Sequence, residues 1–370
     1  MSDRGKILHA FSTFDFGGPQ RRFAEYLKLS DSNFEHKIIA MDNNYKALAF
    51  TDGLSAPENA PDIPTGATCA ATRVCRKHLK QVGPDLLVTY NWGATEWVLA
   101  NKYFPICPMI HIQDGFGTDE QSAEISRRRK MRSFAYKACH KVVVPSRQLK
   151  RLAEKSWKIS PKKLQLIPNG IDTEKFNLGP NETLISANNI HPKNQVIGTV
   201  AGLRPEKNIG RLIEAFSIIE DSHDNCQLVI VGDGVGLPAL KMLAERVCRK
   251  GSVIFTGNLA APEDIIPRFD IFALSSDTEQ MPLSVIEAMA AAKPIVSTDV
   301  GDISHMVSSE NQPYIAGKEA ATLADNLLGL LAAPAQIKAI GQANQTKAVD
   351  EYDVSKMVAA YDDLFTKVMD

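Results

Sequence analysis

The sequence predicts an α/β protein built from two open, parallel-sheet units, each wrapped by helices. Three observations lead there. The chain has 370 residues, more than one hydrophobic core serves when domains run to about 100–200 residues. Short apolar runs alternate with longer amphipathic stretches along nearly its whole length, the rhythm of β-α-β units whose strands are buried on both faces. Segment 173–195 collects Gly179-Pro180, Asn188-Asn189 and His191-Pro192, chain breakers that make it the natural linker between two series.

In the first series the apolar runs place strands at 7–11, 37–41, 85–89, 109–112, 141–144 and 164–167. Helices at 19–29, 73–81, 127–139 and 147–155 fall between them. Residues 42–68 are rich in Asn, Asp, Pro, Gly and Ala without sustained periodicity, which predicts loop with one short helix. The second series has strands at 196–201, 227–231, 252–255, 271–275 and 294–298, with helices at 209–220, 237–250, 262–269 and 283–291. Three helical stretches follow, near 319–331, 335–349 and 354–368. In the last, Val354, Met357, Val358, Tyr361, Leu364, Phe365 and Val368 recur three and four apart, so one apolar face must be buried. In open α/β units, ligands bind outside the carboxyl ends of the strands. A cleft between the two units is therefore the expected site.

Composition narrows the partners. With 42 Lys plus Arg against 43 Asp plus Glu, the net charge is −1, which argues against a protein held to nucleic acid by overall charge. The six cysteines contain no C-x-x-C pair, so neither a zinc cage nor a disulfide framework is expected, and a reducing cytoplasm is the simpler setting. No apolar run approaches the ~18–20 residues of a spanning helix, and any membrane association is expected to be peripheral. Between Glu124 and Glu154 stand ten cations and no acid: Arg127, Arg128, Arg129, Lys130, Arg132, Lys137, Lys141, Arg147, Lys150 and Arg151. With Met131, Phe134 and Tyr136 interleaved, this stretch suits the anionic inner face of a membrane or a pyrophosphate-linked acceptor, or is a solvated face.

The most informative segment is Ser275-Ser276-Asp277-Thr278-Glu279-Gln280-Met281-Pro282-Leu283-Ser284-Val285-Ile286-Glu287-Ala288-Met289-Ala290. It leaves a buried strand, crosses a Pro-containing loop and enters a helix, whose free N–H groups and positive dipole end make an anion site. Glu279 in the loop and Glu287 down the helix flank that site with carboxylates able to accept hydroxyl hydrogen bonds. The arrangement suits a ligand with a central phosphate and a sugar on either side. Gly17-Gly18-Pro19 joins a strand to a helix, where glycine lets backbone approach a phosphate or sugar. Val231-Gly232-Asp233-Gly234-Val235-Gly236 follows a strand and opens a helix, but its G-x-G-x-G spacing is not that of a nicotinamide site, and Thr256-Gly257-Asn258 brings no acidic ribose ligand.

Glu279-x7-Glu287 followed by Ala288-Met289-Ala290 resembles the E-x7-E signature of retaining glycosyltransferases of the GT-B fold, specifically glycosyltransferase family 4. Other pieces fall in that family's order: Gly17-Gly18, Val144-Pro145-Ser146, Ile167-Pro168-Asn169-Gly170-Ile171-Asp172, Leu203-Arg204-Pro205-Glu206-Lys207-Asn208 and Val231-Gly232-Asp233-Gly234. The resemblance implies two Rossmann-like domains facing a central cleft. An acceptor-binding domain would span 1–172 and a nucleotide-sugar domain 185–345, with a C-terminal helix, 346–370, crossing back onto the first. It implies a nucleotide-sugar donor, a sugar or lipid-linked sugar acceptor and a role in polysaccharide, lipopolysaccharide or glycolipid assembly.

By the same resemblance Glu287 holds the donor ribose and Glu279 the transferred sugar, while backbone N–H groups of Met281, Pro282, Leu283 and Ser284 meet the diphosphate. Lys207 adds its charge, and Arg204 a guanidinium fork. Gly17, Gly18, Gly232 and Asn258 line the donor. The family often has Arg five residues before this Lys; Gly202 stands there instead, two residues from Arg204. In Met109-Ile110-His111-Ile112-Gln113-Asp114-Gly115-Phe116-Gly117, relatives carry a histidine near the reacting sugar; Asp114 takes that place, with His111 the alternative acceptor or catalytic residue. Glu279, Lys207 and Asp114 form the expected catalytic set. No D-x-D or H-E-x-x-H pattern offers metal ligands, so no metal or other cofactor is expected. Two other classes stay open: another nucleotide-sugar enzyme such as an epimerase, and a catalytically silent sugar- or nucleotide-binding protein.

Overall fold

The computed structural model describes residues 5–370 apart from 33, 52, 59, 65–67 and 121–122. It divides into two compact units, one made of the segments up to Asn169 and from Val354, the other of Gly170–Asp353. Each holds a six-stranded sheet in which all pairings are parallel.

In the first unit the strands are β1 (Lys6–Phe11), β2 (Glu35–Ala40), β3 (Leu86–Tyr90), β4 (Met109–Ile112), β5 (Lys141–Val144) and β6 (Leu164–Leu166), in the order β2-β1-β3-β4-β5-β6. The helices are α1 (Gly18–Leu29), α2 (Thr68–Val82), α3 (Thr95–Lys102), α4 (Ser126–Ala135) and α5 (Arg147–Lys155). Strand β3, Leu-Leu-Val-Thr-Tyr, is buried throughout, as a central parallel strand covered on both faces must be. Helix α5 starts where Ser146 accepts the Leu149 N–H at 3.0 Å, an N-cap that supplies one missing acceptor of the first turn. The short helix expected within 42–68 is a 3-10 turn, Lys46–Phe50; residues 52, 59 and 65–67 of that stretch lie outside the described residues. Helix α3 was not expected: Trp97, Val98 and Ala100 are all buried, so it lacks the one-sided pattern that marks a surface helix.

The second unit opens with α6 (Glu182–Ala187) and carries β7 (Gln195–Val200), α7 (Ile209–Glu220), β8 (Cys226–Val231), α8 (Leu237–Val247), β9 (Val253–Gly257), β10 (Ile271–Leu274), α9 (Leu283–Ala290), β11 (Ile295–Thr298), α10 (Ile303–Met306), β12 (Ile315–Ala316), α11 (Ala320–Leu331) and α12 (Pro334–Tyr352). Sheet order is β12-β11-β10-β7-β8-β9, so the strand order reverses between β7 and β10. Two expectations are corrected here. Residues 262–269 form two short 3-10 turns, Pro262–Asp264 and Ile266–Arg268, because Pro267 cannot donate a backbone hydrogen bond and Ile265 leaves helical geometry. The breaker-rich stretch 173–195 is not free linker: Phe176, Ile185 and Ile190 enter the second unit's core.

The final helix, α13 (Val354–Met369), buries Met357, Val358, Tyr361, Leu364 and Phe365 in the first unit's core with β1 and α1. Its Asp362 accepts Tyr26 Oη at 2.7 Å and Ser30 Oγ at 2.8 Å. The boundary expected at 345 falls inside α12, and the crossing lies between Asp353 and Val354. Pairing of Tyr352 O with the Ile171 N–H at 3.0 Å and of Asp353 with Thr173 Oγ1 at 2.6 Å keeps that end with the second unit. Beneath α13, His9 Nδ1 meets Tyr90 Oη and His9 Nε2 meets His36 Nδ1, both at 2.9 Å. Burial pulls both imidazoles below their ordinary range, His36 to about 4. All six cysteines are free thiols. No helix among the described residues is long and apolar enough to cross a membrane.

Candidate functional site

The reversal of strand order in the second unit aims two loops at one place, the loop after β7 and the loop after β10, which is where open α/β sheets bind ligands. The first carries Arg204 and Lys207, the second Glu279. Five contacts clamp them together: the Asp277 N–H donates to Glu206 O at 2.8 Å, Ser275 Oγ to Lys207 O at 3.1 Å and to Asn208 O at 2.9 Å, and Arg211 bonds both Ser275 O at 2.6 Å and Asp277 at 2.7 Å. Asn208 sits in the left-handed region at φ 43° and caps α7 by accepting from the Arg211 N–H.

Lys207 Nζ lies 2.6 Å from Glu279 Oε1, and Ser276 Oγ donates to the same oxygen at 2.7 Å. The two charged side chains are only 17% and 9% exposed. The cation and carboxylate that sequence reasoning assigned to one ligand are thus brought together across 72 residues. Gly301, at φ +59°, lets the 279–280 backbone pass so close that a Cβ there would sit 2.6 Å from Gln280 O. Helix α9 begins directly after this loop, and the N–H groups of Leu283 and Ser284 enter it with no intrahelical acceptor. Pro282 is corrected as a donor: it has no N–H. Glu287 is buried on the second turn of α9.

Arg204 is largely exposed and folds back over Gly202. Its Nε would lie 3.6 Å from a Cβ built there, and it pairs with Glu206 at 3.1 Å. Gly232 has φ +138°, and a Cβ on it would stand 1.9 Å from Ala201 O. Its glycine is required where the 231–236 loop crosses the loop carrying Arg204 and Lys207, whatever else it touches. Asn258, exposed, follows Gly257, which pairs with Gly232 through a 2.8 Å backbone bond. Among the described residues, no three His, Cys, Asp or Glu side chains are grouped to hold a metal ion.

In the first unit Asp114 lies just beyond the carboxyl end of β4 and meets a residue that the sequence did not single out. Arg22 of α1 is buried with its guanidinium on both Asp114 carboxylate oxygens and on Asn169 Oδ1 at 3.1 Å. Burial disfavours the guanidinium's charge, and the Asp114 carboxylate outweighs it, raising the pKa above the ordinary value. Asn91 completes the cluster, accepting from the Asp114 N–H at 2.8 Å. The available signal was phase: Arg22 shares the buried face of α1 with Phe23 and Tyr26. His111, by contrast, is wholly buried, stacked 3.7 Å from Tyr136, with its nitrogens on Thr89 Oγ1 at 2.8 Å and Gln113 Oε1 at 3.3 Å. Burial pushes it down to about 3, so it is a neutral core residue that the structure does not bring to the loops. Gly17 and Gly18 are exposed at the bare start of α1, and no atom lies within 4 Å of a Cβ built at Gly18.

The basic stretch is not one surface. Arg132 is buried, bonded to Glu120 at 2.8 Å and Glu124 at 3.1 Å, with its guanidinium over Trp92, Phe116 and Trp157. Arg128 pairs with Asp119 at 2.7 Å. Arg127, Arg129, Lys130, Lys137 and Arg151 are exposed.

Comparison with known proteins matches this geometry on both units. The model of Glycosyltransferase Family 4 matches residues 17–175, and that of the glycosyl transferases group 1 matches 180–347. An uncharacterized glycosyltransferase of Methanocaldococcus jannaschii is 25% identical over 60% of this chain and 57% of its own. A UDP-Gal:alpha-D-GlcNAc-diphosphoundecaprenol alpha-1,3-galactosyltransferase of Escherichia coli is 25% identical over 63% and 61%. The chain spans about half the length of the curated relatives it matches. Anabaena HepE, solved in complex with UDP and glucose, superposes with TM-score 0.82 at 18% identity, covering 98% of this chain and 100% of its own; that likeness speaks to the fold, two Rossmann-like domains of GT-B type. With one family model on each unit and the two together covering most of its length, the chain belongs to the family 4 glycosyltransferases.

Proposed function

We propose that the protein is a retaining glycosyltransferase that moves a sugar from a nucleotide-sugar donor to an acceptor hydroxyl, in polysaccharide, lipopolysaccharide or glycolipid assembly. The observation that carries this reading is the Lys207–Glu279 pair at the strand-order reversal, directly before the N-terminus of α9. A diphosphate seated there meets the N–H groups of Leu283 and Ser284 and the Lys207 ammonium, and Glu287 accepts hydrogen bonds from the donor ribose. Glu279 orients hydroxyls of the transferred sugar. As the bond from the anomeric carbon to the diphosphate breaks, negative charge grows on the leaving group, and preorganised donors stabilise it more in the transition state than in the ground state. These groups take that role without a metal. Arg204 covers Gly202 and adds a second cation beside the loop. Asp114, fixed by Arg22 and Asn91, positions acceptor or donor hydroxyls; Gly17 and Gly18 leave α1 open to a ligand.

Relatives support the donor and acceptor classes: HepE was solved with UDP and glucose, and the Escherichia coli relative is named for a UDP-sugar donor and a diphosphoundecaprenol-linked acceptor. Transfer and hydrolysis assayed over a panel of UDP-, GDP- and ADP-sugars test the reading. Release of one nucleoside diphosphate with retained anomeric configuration is expected; binding without turnover of any sugar would leave a silent binding protein instead.

A further inference from the structure

We infer that Glu206 is a positioning residue of the donor site: it holds Arg204 by one edge of the guanidinium and leaves the other edge free to clamp the terminal phosphate of a nucleoside diphosphate. The inference rests on the reading of this loop as a nucleotide-sugar site. Arg204 Nε stands 3.1 Å from Glu206 Oε1, and among the described residues neither Nη atom of Arg204 has a hydrogen-bond partner. Arg204 is 56% exposed and Glu206 9%. The second oxygen, Glu206 Oε2, is buried and has no hydrogen-bond partner among the described residues. A buried carboxylate oxygen left unbonded lowers stability, and an apolar side chain would serve the fold better at this position. What accounts for the carboxylate is the cation it holds, since among the described residues it pairs with Arg204 alone. The two free Nη groups present parallel N–H bonds at the spacing of two phosphate oxygens, and a terminal phosphate offers such a pair.

The backbone gives the pair a fixed frame. Pro205 stands between the two residues with its φ restricted. The turn Pro205–Lys207 closes with the Lys207 N–H on Arg204 O and the Asn208 N–H on Pro205 O, both at 3.0 Å. Leu203, 1% exposed, donates its N–H to Asp233 O at 2.9 Å, and the Arg204 N–H goes to Gly202 O at 2.8 Å. Gly202 supplies room: apart from its chain neighbours, Arg204 Nε, at 3.6 Å, is the one atom within 4 Å of a Cβ built there. The guanidinium therefore rests over bare backbone and is steered by Glu206. The two cations of this loop are prepared in different ways. Lys207 has a single ammonium, and Glu279 already sits on it at 2.6 Å. Arg204 has a fork, and its carboxylate takes the Nε edge. An incoming diphosphate competes for the first contact and leaves the second intact.

The sign of one substitution separates this role from a bland one. A carboxylate beside an anion site repels the anion, so removing Glu206 would tighten diphosphate binding if only its charge mattered. If it positions Arg204, removal weakens binding. The full chain is titrated calorimetrically with UDP, GDP and ADP and with the matching monophosphates. Arg204→Ala should weaken the diphosphate by about tenfold, and Glu206→Ala by about three- to tenfold. The double variant should lose no more than Arg204→Ala alone, because both changes remove one clamp. Arg204→Lys should recover little, since an ammonium presents no fork. Monophosphate affinity should change little in every variant. Thermal unfolding should show Glu206→Ala as stable as the wild type, and Glu206→Gln, of equal size, should weaken diphosphate binding in the same direction. Tighter or unchanged diphosphate binding in Glu206→Ala and Glu206→Gln, additive losses in the double variant, or equal losses for mono- and diphosphates would overturn the inference. If Lys207→Ala still weakens the diphosphate in that case, the donor-site reading stands without it. A wild-type chain that binds none of the three diphosphates would overturn both.

Discussion

The Lys207–Glu279 contact makes a prediction with an unusual sign. The Lys207 ammonium, proposed above to meet a diphosphate, is already engaged, 2.6 Å from a carboxylate that also accepts from Ser276. At 17% and 9% exposure the pair falls between a surface ion pair, worth about 0.2–1 kcal/mol, and a buried one, where removing a partner costs about 3–5 kcal/mol; about 1–2 kcal/mol is the working value. A nucleoside diphosphate must share or replace that contact. Glu279→Gln keeps an oxygen for Ser276 and releases Lys207, so affinity for the bare nucleoside diphosphate should rise by about fivefold, corresponding to ~1 kcal/mol. Lys207→Ala should do the opposite, removing a charge-assisted contact of about 1.5–3 kcal/mol and leaving an uncompensated carboxylate facing the anion. The double variant should then recover part of the loss, because the unmasked carboxylate has gone. Turnover separates from binding: Glu279→Gln should slow sugar transfer although it tightens nucleotide binding. Calorimetric titration with UDP, GDP and ADP, alongside thermal unfolding, measures all three. If Glu279→Gln weakens binding as much as Lys207→Ala in folded protein, the two residues do not share one ligand site and the reasoning fails.

Other outcomes follow from the same structure. With Glu287 on the donor ribose as proposed, and provided that contact is equally strong before and during reaction, Glu287→Ala should weaken nucleotide binding by about 1–3 kcal/mol and chiefly raise the donor KM; steady-state kinetics checks it. Arg22→Ala should lower first-unit stability by about 3 kcal/mol in denaturant melts by stranding Asp114, with Arg22→Lys recovering only part because one ammonium cannot serve both carboxylate oxygens and Asn169. Arg132→Ala should cost about 3–5 kcal/mol through the buried Glu120, although the sequence places Arg132 in a run of surface cations. Acid should loosen the first unit. His36 falls to about 4 and His111 to about 3 when folded, below the ordinary value of about 6.5, so the unfolded chain binds more protons between those limits. Stability is full above about pH 6.5 and declines as pH falls toward 4, at about 1.4 kcal/mol per unit for each histidine; denaturant melts of His36→Phe should show a shallower slope.

Local pattern carried the architecture well because parallel strands and amphipathic helices write their burial into neighbouring residues. It failed where burial hides the pattern or length defeats it. Helix α3 is covered around Trp97 and Val98 and so shows no polar face, β12 has two residues, and Pro267 broke what composition suggested was a helix. At the site, Glu279 and Lys207 were legible from motif order, and their direct contact was not, since it depends on two loops meeting at the β7/β10 reversal. Arg22 and Arg132 were missed for a shared reason. A cation in sequence reads as surface, and the carboxylates that bury these two, Asp114 and Glu120, are chosen by tertiary geometry.

The last helix has a consequence for biosynthesis. Residues 170–353 are translated between the two pieces of the first unit, and at about 5–20 residues per second that interval lasts roughly ten to forty seconds. Throughout it, the nascent sheet that has left the ribosome shows Phe23, Tyr26 and the His9–His36 pair where α13 will later dock. The second unit, continuous in the chain, can close first. A stop codon before Val354 would then yield a complete second unit joined to a first unit that never seals, a species for chaperones or proteases to recognise.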